Sequence, residues 1–252
     1  MGVALVTGAR RGIGKAIALA LAEAGYDVAV SDVVQSDELQ AVADAIRVTG
    51  QKSISLVGDV SAIDTHTRLL DQTETALGAL TTLVNNAGVS VLARGDLLDV
   101  TPESFDHCIA VNTRGTFFLT QAFARRLIDS LTPCHRSIIT ITSANASAVS
   151  IARGEYCISK AGASMGSKLF ASRLSDQDIG VYEIQPGFIE TDMTAPSKPK
   201  YDALIENGLT VIKRFGTPRE VARIAVTLAN GLLPYTTGQV ILADGGLLTV
   251  RY

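Results

Sequence analysis

The opening stretch restricts this chain more than any other. Val3-Ala4-Leu5-Val6 is a short apolar run that reads as a buried strand. It ends in Thr7-Gly8-Ala9-Arg10-Arg11-Gly12-Ile13-Gly14, and Lys15 to Ala24 continues as an Ala/Leu-rich helix. A strand, a glycine turn and a helix in that order form the context that a dinucleotide fingerprint needs. Gly8 allows the tight turn, Gly12 lets the backbone approach a pyrophosphate, and Gly14 lets helix and strand pack closely. The helix start then presents free N–H groups and positive potential to the phosphates. The spacing is Gly-x-x-x-Gly-x-Gly rather than Gly-x-Gly-x-x-Gly, so the loop alone leaves both nucleotide binding and a plain turn open.

The rest of the chain repeats the alternation. Strands are expected at Asp27–Ser31, Lys52–Val57, Leu80–Val84, Arg136–Thr142, Val181–Ile184 and Gln239–Leu242. Helices are expected at Gln35–Val48, at Ser61–Leu77 with Ser61 as N-cap, at Thr101–Ser130, at Gly154–Gln177, and after Thr217. Strands alternating with helices imply an α/β fold, a doubly wound parallel sheet of about seven strands with helices on both faces. No linker interrupts the pattern, so residues 1–252 read as one domain. The polar, proline-bearing stretch around 190–210 reads as a mobile substrate lid. In such sheets ligands gather at the carboxyl ends of the strands. Gly8, Asp32, Asp59, Asn86, Ser143 and Pro186 all fall there.

Asp32 lies at the end of the second strand, where an acid bonds the adenosine ribose hydroxyls and repels the extra phosphate of NADP. It favours NAD, although it could also be a turn acid. Arg11 could serve a 2′-phosphate or the pyrophosphate, which leaves NADP open. Tyr156 and Lys160 leave one face of a helix. A phenol ionises at about pH 10, and an adjacent ammonium favours the phenolate, which would make Tyr156 a usable acid/base near neutrality. A half-buried Tyr beside a surface Lys is the plainer reading of the pair alone.

Net charge is −3, with no basic stripe or polybasic tail, which argues against nucleic acid and anionic membranes as partners. The longest apolar run is too short for a membrane span. The three cysteines and three histidines are scattered at no metal-ligand or disulfide spacing, so no metal is expected and a reducing cytoplasm suits them.

Thr7-Gly8-x-x-x-Gly12-x-Gly14, Asp59, Asn85-Asn86-Ala87-Gly88, Asn112, Ser143, Tyr156-x-x-x-Lys160 and Pro186-Gly187-x-Ile189-x-Thr191 occur in one order along nearly the whole chain. As an ordered set they resemble the single-domain short-chain dehydrogenases/reductases, including members that act as 3-oxoacyl-acyl-carrier-protein reductases. The resemblance implies that Tyr156 is the general acid/base, that Ser143 orients the substrate oxygen, that Lys160 tunes Tyr156 and bonds the nicotinamide ribose, and that Asn112 holds a relay water. It implies Gly8, Arg11, Gly12, Ile13 and Gly14 at the pyrophosphate, Asp59 and Val60 at adenine, and Asn86, Ala87 and Gly88 at the adenosine-side ribose. Ile189 and Thr191 would meet the carboxamide, beside Pro186 and Gly187. A homotetramer is likewise implied.

Substrate contacts are expected from Ser143, Asn145, Arg153, Tyr156 and Phe188; Arg153 reads first as a surface or subunit-interface charge, and otherwise, with Arg94 and Asp96, suits a small polar, anionic or sugar-like molecule. The reading is an NAD(H)-dependent oxidoreductase that interconverts a secondary alcohol and a ketone. The alternative is an NADPH-dependent 3-oxoacyl-thioester reductase. Against the alternative stand Asp32, and Gln177 and Cys134 where the carrier-docking relatives place arginines.

Overall fold

The computed structural model describes residues 2–130 and 132–250. Among them, seven parallel strands form one sheet: β1 (Val3–Thr7), β2 (Asp27–Asp32), β3 (Ser53–Val57), β4 (Thr82–Asn85), β5 (Arg136–Ile141), β6 (Ile179–Pro186) and β7 (Val240–Ala243). Their spatial order is β3-β2-β1-β4-β5-β6-β7. The chain winds outward from β1 to β3, then returns to pair β4 on the other side of β1. That reversal opens a crevice at the carboxyl ends of β1 and β4, where doubly wound sheets take ligands.

Strand residues alternate between two cores, as the two-residue period requires. Ala4 and Val6 join one cluster with Ile17 and Leu21 of α1 (Gly12–Glu23), Leu39 and Ile46 of α2 (Asp37–Val48), and Val221 and Leu228 of α8 (Pro218–Ala229). Val3 and Leu5 join the other, with Leu69 and Leu70 of α3 (His66–Leu77) and Phe123 and Leu127 of α5 (Thr116–Asp129). Each face therefore buries its own helical layer.

The helix starts follow the cap residues. Ser36 accepts from Leu39 N, Thr101 accepts from Ser104 N ahead of α4 (Pro102–Cys108), and Thr217 and Glu220 form a reciprocal capping box at α8. Two expectations need correction. Ser61 caps no helix: its N–H and hydroxyl both donate to Asp59 Oδ1, and α3 begins only at His66, after a 3₁₀ turn at Ile63–Thr65. The helix expected over Thr101–Ser130 is broken by a π segment at Ile109–Gly115, between α4 and α5. Gly115 sits where a Cβ would collide with the Val60 carbonyl. The stretch read as a lid carries a 3₁₀ turn at Ala195–Ser197 and the helix α7 (Lys198–Glu206), whose Tyr201 ring stacks 4.4 Å from Phe188.

Candidate active site

The crevice contains a cavity of about 420 Å³ that runs from the glycine turn to the start of α6 (Gly154–Arg173). Gly8 and Gly12 have φ of +62° and +57°, the left-handed region that glycine enters without strain. The N-cap of α1, Arg11, makes no side-chain cap, so the first N–H groups of the helix are left for a ligand. Asn86 ties the turn in place. Its Nδ2 donates to the carbonyls of Thr7 (2.9 Å) and Gly8 (3.0 Å), while the Thr7 hydroxyl oxygen accepts from the backbone N–H of Asn86 and Ala87. Gly14 is buried behind the turn, where a Cβ would strike the Gly8 carbonyl.

At the far wall Tyr156 and Lys160 are both buried, one turn apart on α6. Lys160 Nζ donates to the Ile141 carbonyl at 3.2 Å and lies 5.8 Å from the Tyr156 ring centroid. Ser143 lies two residues past the end of β5 and lines the cavity with Tyr156, and its Oγ accepts from Asn145 N at 3.1 Å. The Arg153 guanidinium sits 5.4 Å over the same ring. Gly88 leaves the gap between these groups: a Cβ there would stand 3.1 Å from Asn112 Oδ1 and 3.2 Å from Lys160 Nζ.

The electrostatics correct the expected phenol. Burial pushes the Tyr156 pKa up, against the Ser143 hydrogen bond and the Arg153 charge, which pull it down. Burial also acts on the ammonium: desolvation pushes Lys160 down to about 8, with Glu183 opposing. Nζ is directed at a backbone carbonyl instead of the phenol oxygen, so the i, i+4 spacing alone does not produce a low phenol pKa.

Most of the residues singled out in the sequence meet at this cavity. Gly8, Arg11, Gly12, Ile13, Asp32, Asn86, Ala87, Gly88, Ser143, Asn145, Arg153, Tyr156, Lys160, Pro186, Gly187, Phe188, Ile189 and Thr191 all line it. Asp59, Val60 and Asn112 do not. The Asp59 carboxylate is engaged by Ser61, and the Val60 side chain belongs to the core. Asn112 is a clamp. Its amide donates to the Val89 carbonyl (3.0 Å) and to Ser159 Oγ (2.9 Å), and its Oδ1 accepts from Val89 N, so both of its donors are committed to protein partners.

Among the further lining residues, Asp192, Met193 and Tyr201 are given no role by the sequence, whereas Arg10 is, with Arg11, a candidate there to favour NADPH against Asp32. Arg10 stands 3.7 Å from Asp32 through Nε, and pairs with Glu38 through Nη1 at 2.9 Å. Asp192 pairs with Arg11 at 3.2 Å across the mouth. Tyr201 and Met193 come from the 190–210 stretch. The Arg11–Asp192 pair spans most of the chain, so no local sequence signal could reveal it.

A glycine cradle, an acid at the far end of β2 and a Ser–Tyr–Lys group with its Tyr and Lys buried define an oxidoreductase site on a doubly wound sheet. The comparisons give the family. Residues 8–248 match the family model described as enoyl-(acyl carrier protein) reductase. The chain is 35% identical to versicolorin reductase stcU of Emericella nidulans, with 97% of this chain and 94% of that protein covered. It is 33% identical to the 3-oxoacyl-[acyl-carrier-protein] reductase FabG of Staphylococcus epidermidis, covering 97% and 98%. The crystal structure of 3-oxoacyl-[acyl-carrier protein] reductase from Brucella melitensis in complex with NAD superposes with a TM-score of 0.96 at 43% identity, covering 100% and 98%. The chain belongs to the short-chain dehydrogenase/reductase family, whose members are oxidoreductases of CH–OH and keto groups. No helix among the described residues is long and apolar enough to cross a membrane.

Proposed function

We propose that this protein interconverts a secondary alcohol and a ketone on a small anionic substrate, with NAD(H) as its dinucleotide. The observation that carries the substrate class is the charge at the Tyr156 end of the cavity. Arg153 stands over the Tyr156 ring there, Arg94 also lines the cavity, and the acids that line it, Asp32 and Asp192, face the arginines of the glycine turn. A guanidinium beside a buried phenol, with a second arginine on the cavity wall, suits a carboxylate or phosphate on the substrate.

The glycine turn, the uncapped start of α1 and the gap at Gly88 suit a dinucleotide, with Gly8, Arg11, Gly12 and Ile13 at the pyrophosphate and Ile189 and Thr191 at the carboxamide. A bound nicotinamide would supply the carbon that gives or takes the hydride. In the reducing direction the Tyr156 hydroxyl gives its proton to the carbonyl oxygen; in the oxidising direction the phenolate takes it back. Ser143 donates a hydrogen bond to the same oxygen and fixes its position. The Lys160 ammonium offsets the negative charge left on the phenol, and Asn112 holds the loop after β4 against α6. A phenol kept protonated by burial is set to donate, which favours delivery to a ketone.

Asp32 supports NAD, since a carboxylate there repels a 2′-phosphate. Self-association as a tetramer fits the exposed Ile158, Met165 and Leu169 on the outer face of α6.

A second reading, an NADPH-linked 3-oxoacyl-thioester reductase, draws on the 43% identical Brucella melitensis protein described as such and on Arg10 beside Asp32. Initial rates with NADH and NADPH, each against an acetoacetyl thioester and a panel of small keto acids, separate the two. NADH with a keto acid is expected; NADPH with the thioester would move the second reading to the front.

A further inference from the structure

The strand β6 breaks its own pattern. Val181 points into the core beneath α5 and α6, and the two-residue period puts Glu183 and Gln185 on that same face. Apolar side chains belong there, yet Glu183 and Gln185 are both buried. Three donors converge on the Glu183 carboxylate. Gln185 Nε2 donates at 2.8 Å and the Thr142 hydroxyl donates to Oε1, while Ser164 Oγ donates to Oε2 at 2.7 Å.

The three donors come from consequential places. Thr142 is the residue before Ser143, and Ser164 is one helical turn beyond Lys160 on the same face of α6. A single carboxylate thus joins the strand end that presents the orienting hydroxyl to the helix that presents the phenol and the ammonium. A buried acid is costly unless fully bonded, so its retention at a core position calls for a reason other than packing.

We propose that Glu183 is a positioning residue for the Ser143–Tyr156–Lys160 group: it fixes β5 against α6 and its negative charge keeps the Lys160 ammonium positive inside the core. This rests on the reading of Lys160 as the cation that serves the Tyr156 phenol. The titratable groups around Lys160 are few. Tyr156 lies on its own helix, Cys108 faces it from α4 and Glu183 from β6; Arg153 faces Tyr156, and Glu155 faces Cys108. Lys168, a further turn along α6, is exposed in a surface groove that Ser164 and Gln185 also line. Burial pushes the Cys108 thiol up to about 11, so it is neutral where the enzyme works. Burial drives the Lys160 ammonium down to about 8, and Glu183 leads the groups that oppose it.

The test is the pH dependence of kcat in the reducing direction for the full-length protein and for Glu183→Gln, which keeps shape and removes charge. Activity is expected to fall as pH rises and Lys160 loses its proton. In E183Q that limb should move to lower pH by about one unit, a tenfold loss of proton affinity. A limb that stays in place overturns the inference, whatever happens to the melting temperature. Should E183Q fail to fold, Glu183→Asp withdraws the same charge by one methylene and should move the limb the same way by less; an unmoved limb overturns the inference there too. Lys160→Ala separates the two levels. If it retains turnover, the reading of the Tyr–Lys pair is wrong. If it loses turnover while the E183Q limb is unmoved, only the role given to Glu183 is wrong.

Discussion

At the Tyr156 phenol, burial acts against the bonds and charges around it: desolvation raises the pKa, while Ser143 and Arg153 lower it. Tyr156→Phe removes the transferable proton and little volume. Turnover should fall by at least ~100-fold, while NADH affinity measured by fluorescence titration stays within about twofold. Retained turnover would show that the proton comes from elsewhere. Lys160 invites a stability measurement. Its pKa drops from 10.5 to about 8 on folding, so the unfolded chain binds the extra proton between those values. The folded state therefore bears the full penalty below pH 8, and the penalty shrinks as pH rises toward 10.5. Lys160→Met should lose turnover yet raise stability at pH 7 by about 1–3 kcal/mol. The gain should diminish by pH 10, as urea unfolding at the two pH values would reveal. A gain independent of pH would assign it to packing instead of charge. The pair was visible in the sequence as a spacing; the direction of its pKa values was not, because desolvation depends on what folds over it.

At the level of elements, short-range chemistry was the most legible part of the chain. Thr101 and Thr217 cap the helices expected of them, and the strands fall close to their apolar runs. Thr217→Ala should cost about 1 kcal/mol by losing the acceptor for Glu220 N and one side of the capping box. The π segment was not legible. Its cause lies in tertiary packing, with Gly115 pressed against the Val60 carbonyl and Asn112 bonded to Val89 and Ser159. Gly115→Ala should therefore destabilise by about 1–3 kcal/mol although alanine favours helix, and a urea midpoint no lower than that of the unaltered protein would refute the packing account. Ser61 shows the converse error. A capping-box pattern was present, but Asp59 competes for both of its donors and delays the helix to His66.

For the whole molecule, the return of the chain from β3 to β4 creates the crevice and brings Asp32, Gly8 and Tyr156 to a single cavity. Dinucleotide choice belongs to this scale, since Arg10 and Asp32 meet at 3.7 Å across the carboxyl ends of the neighbouring strands β1 and β2. Asp32→Ala frees Arg10 toward a 2′-phosphate and should raise relative use of NADPH over NADH by about tenfold, measured as the ratio of kcat/KM values. An unchanged ratio would remove Asp32 from the ribose. The sequence by itself determined the alternation of strand and helix, the glycine turn and the identity of the Ser–Tyr–Lys group, because these rest on local periodicity, backbone sterics and short spacing. Only the tertiary structure decided that Asn112 is a clamp, that Arg10 meets Asp32 at the cavity wall, and that Glu183 sits buried between Thr142 and Ser164. Those depend on residues far apart in the chain meeting in a medium of low polarity, where burial sets both their partners and their charge.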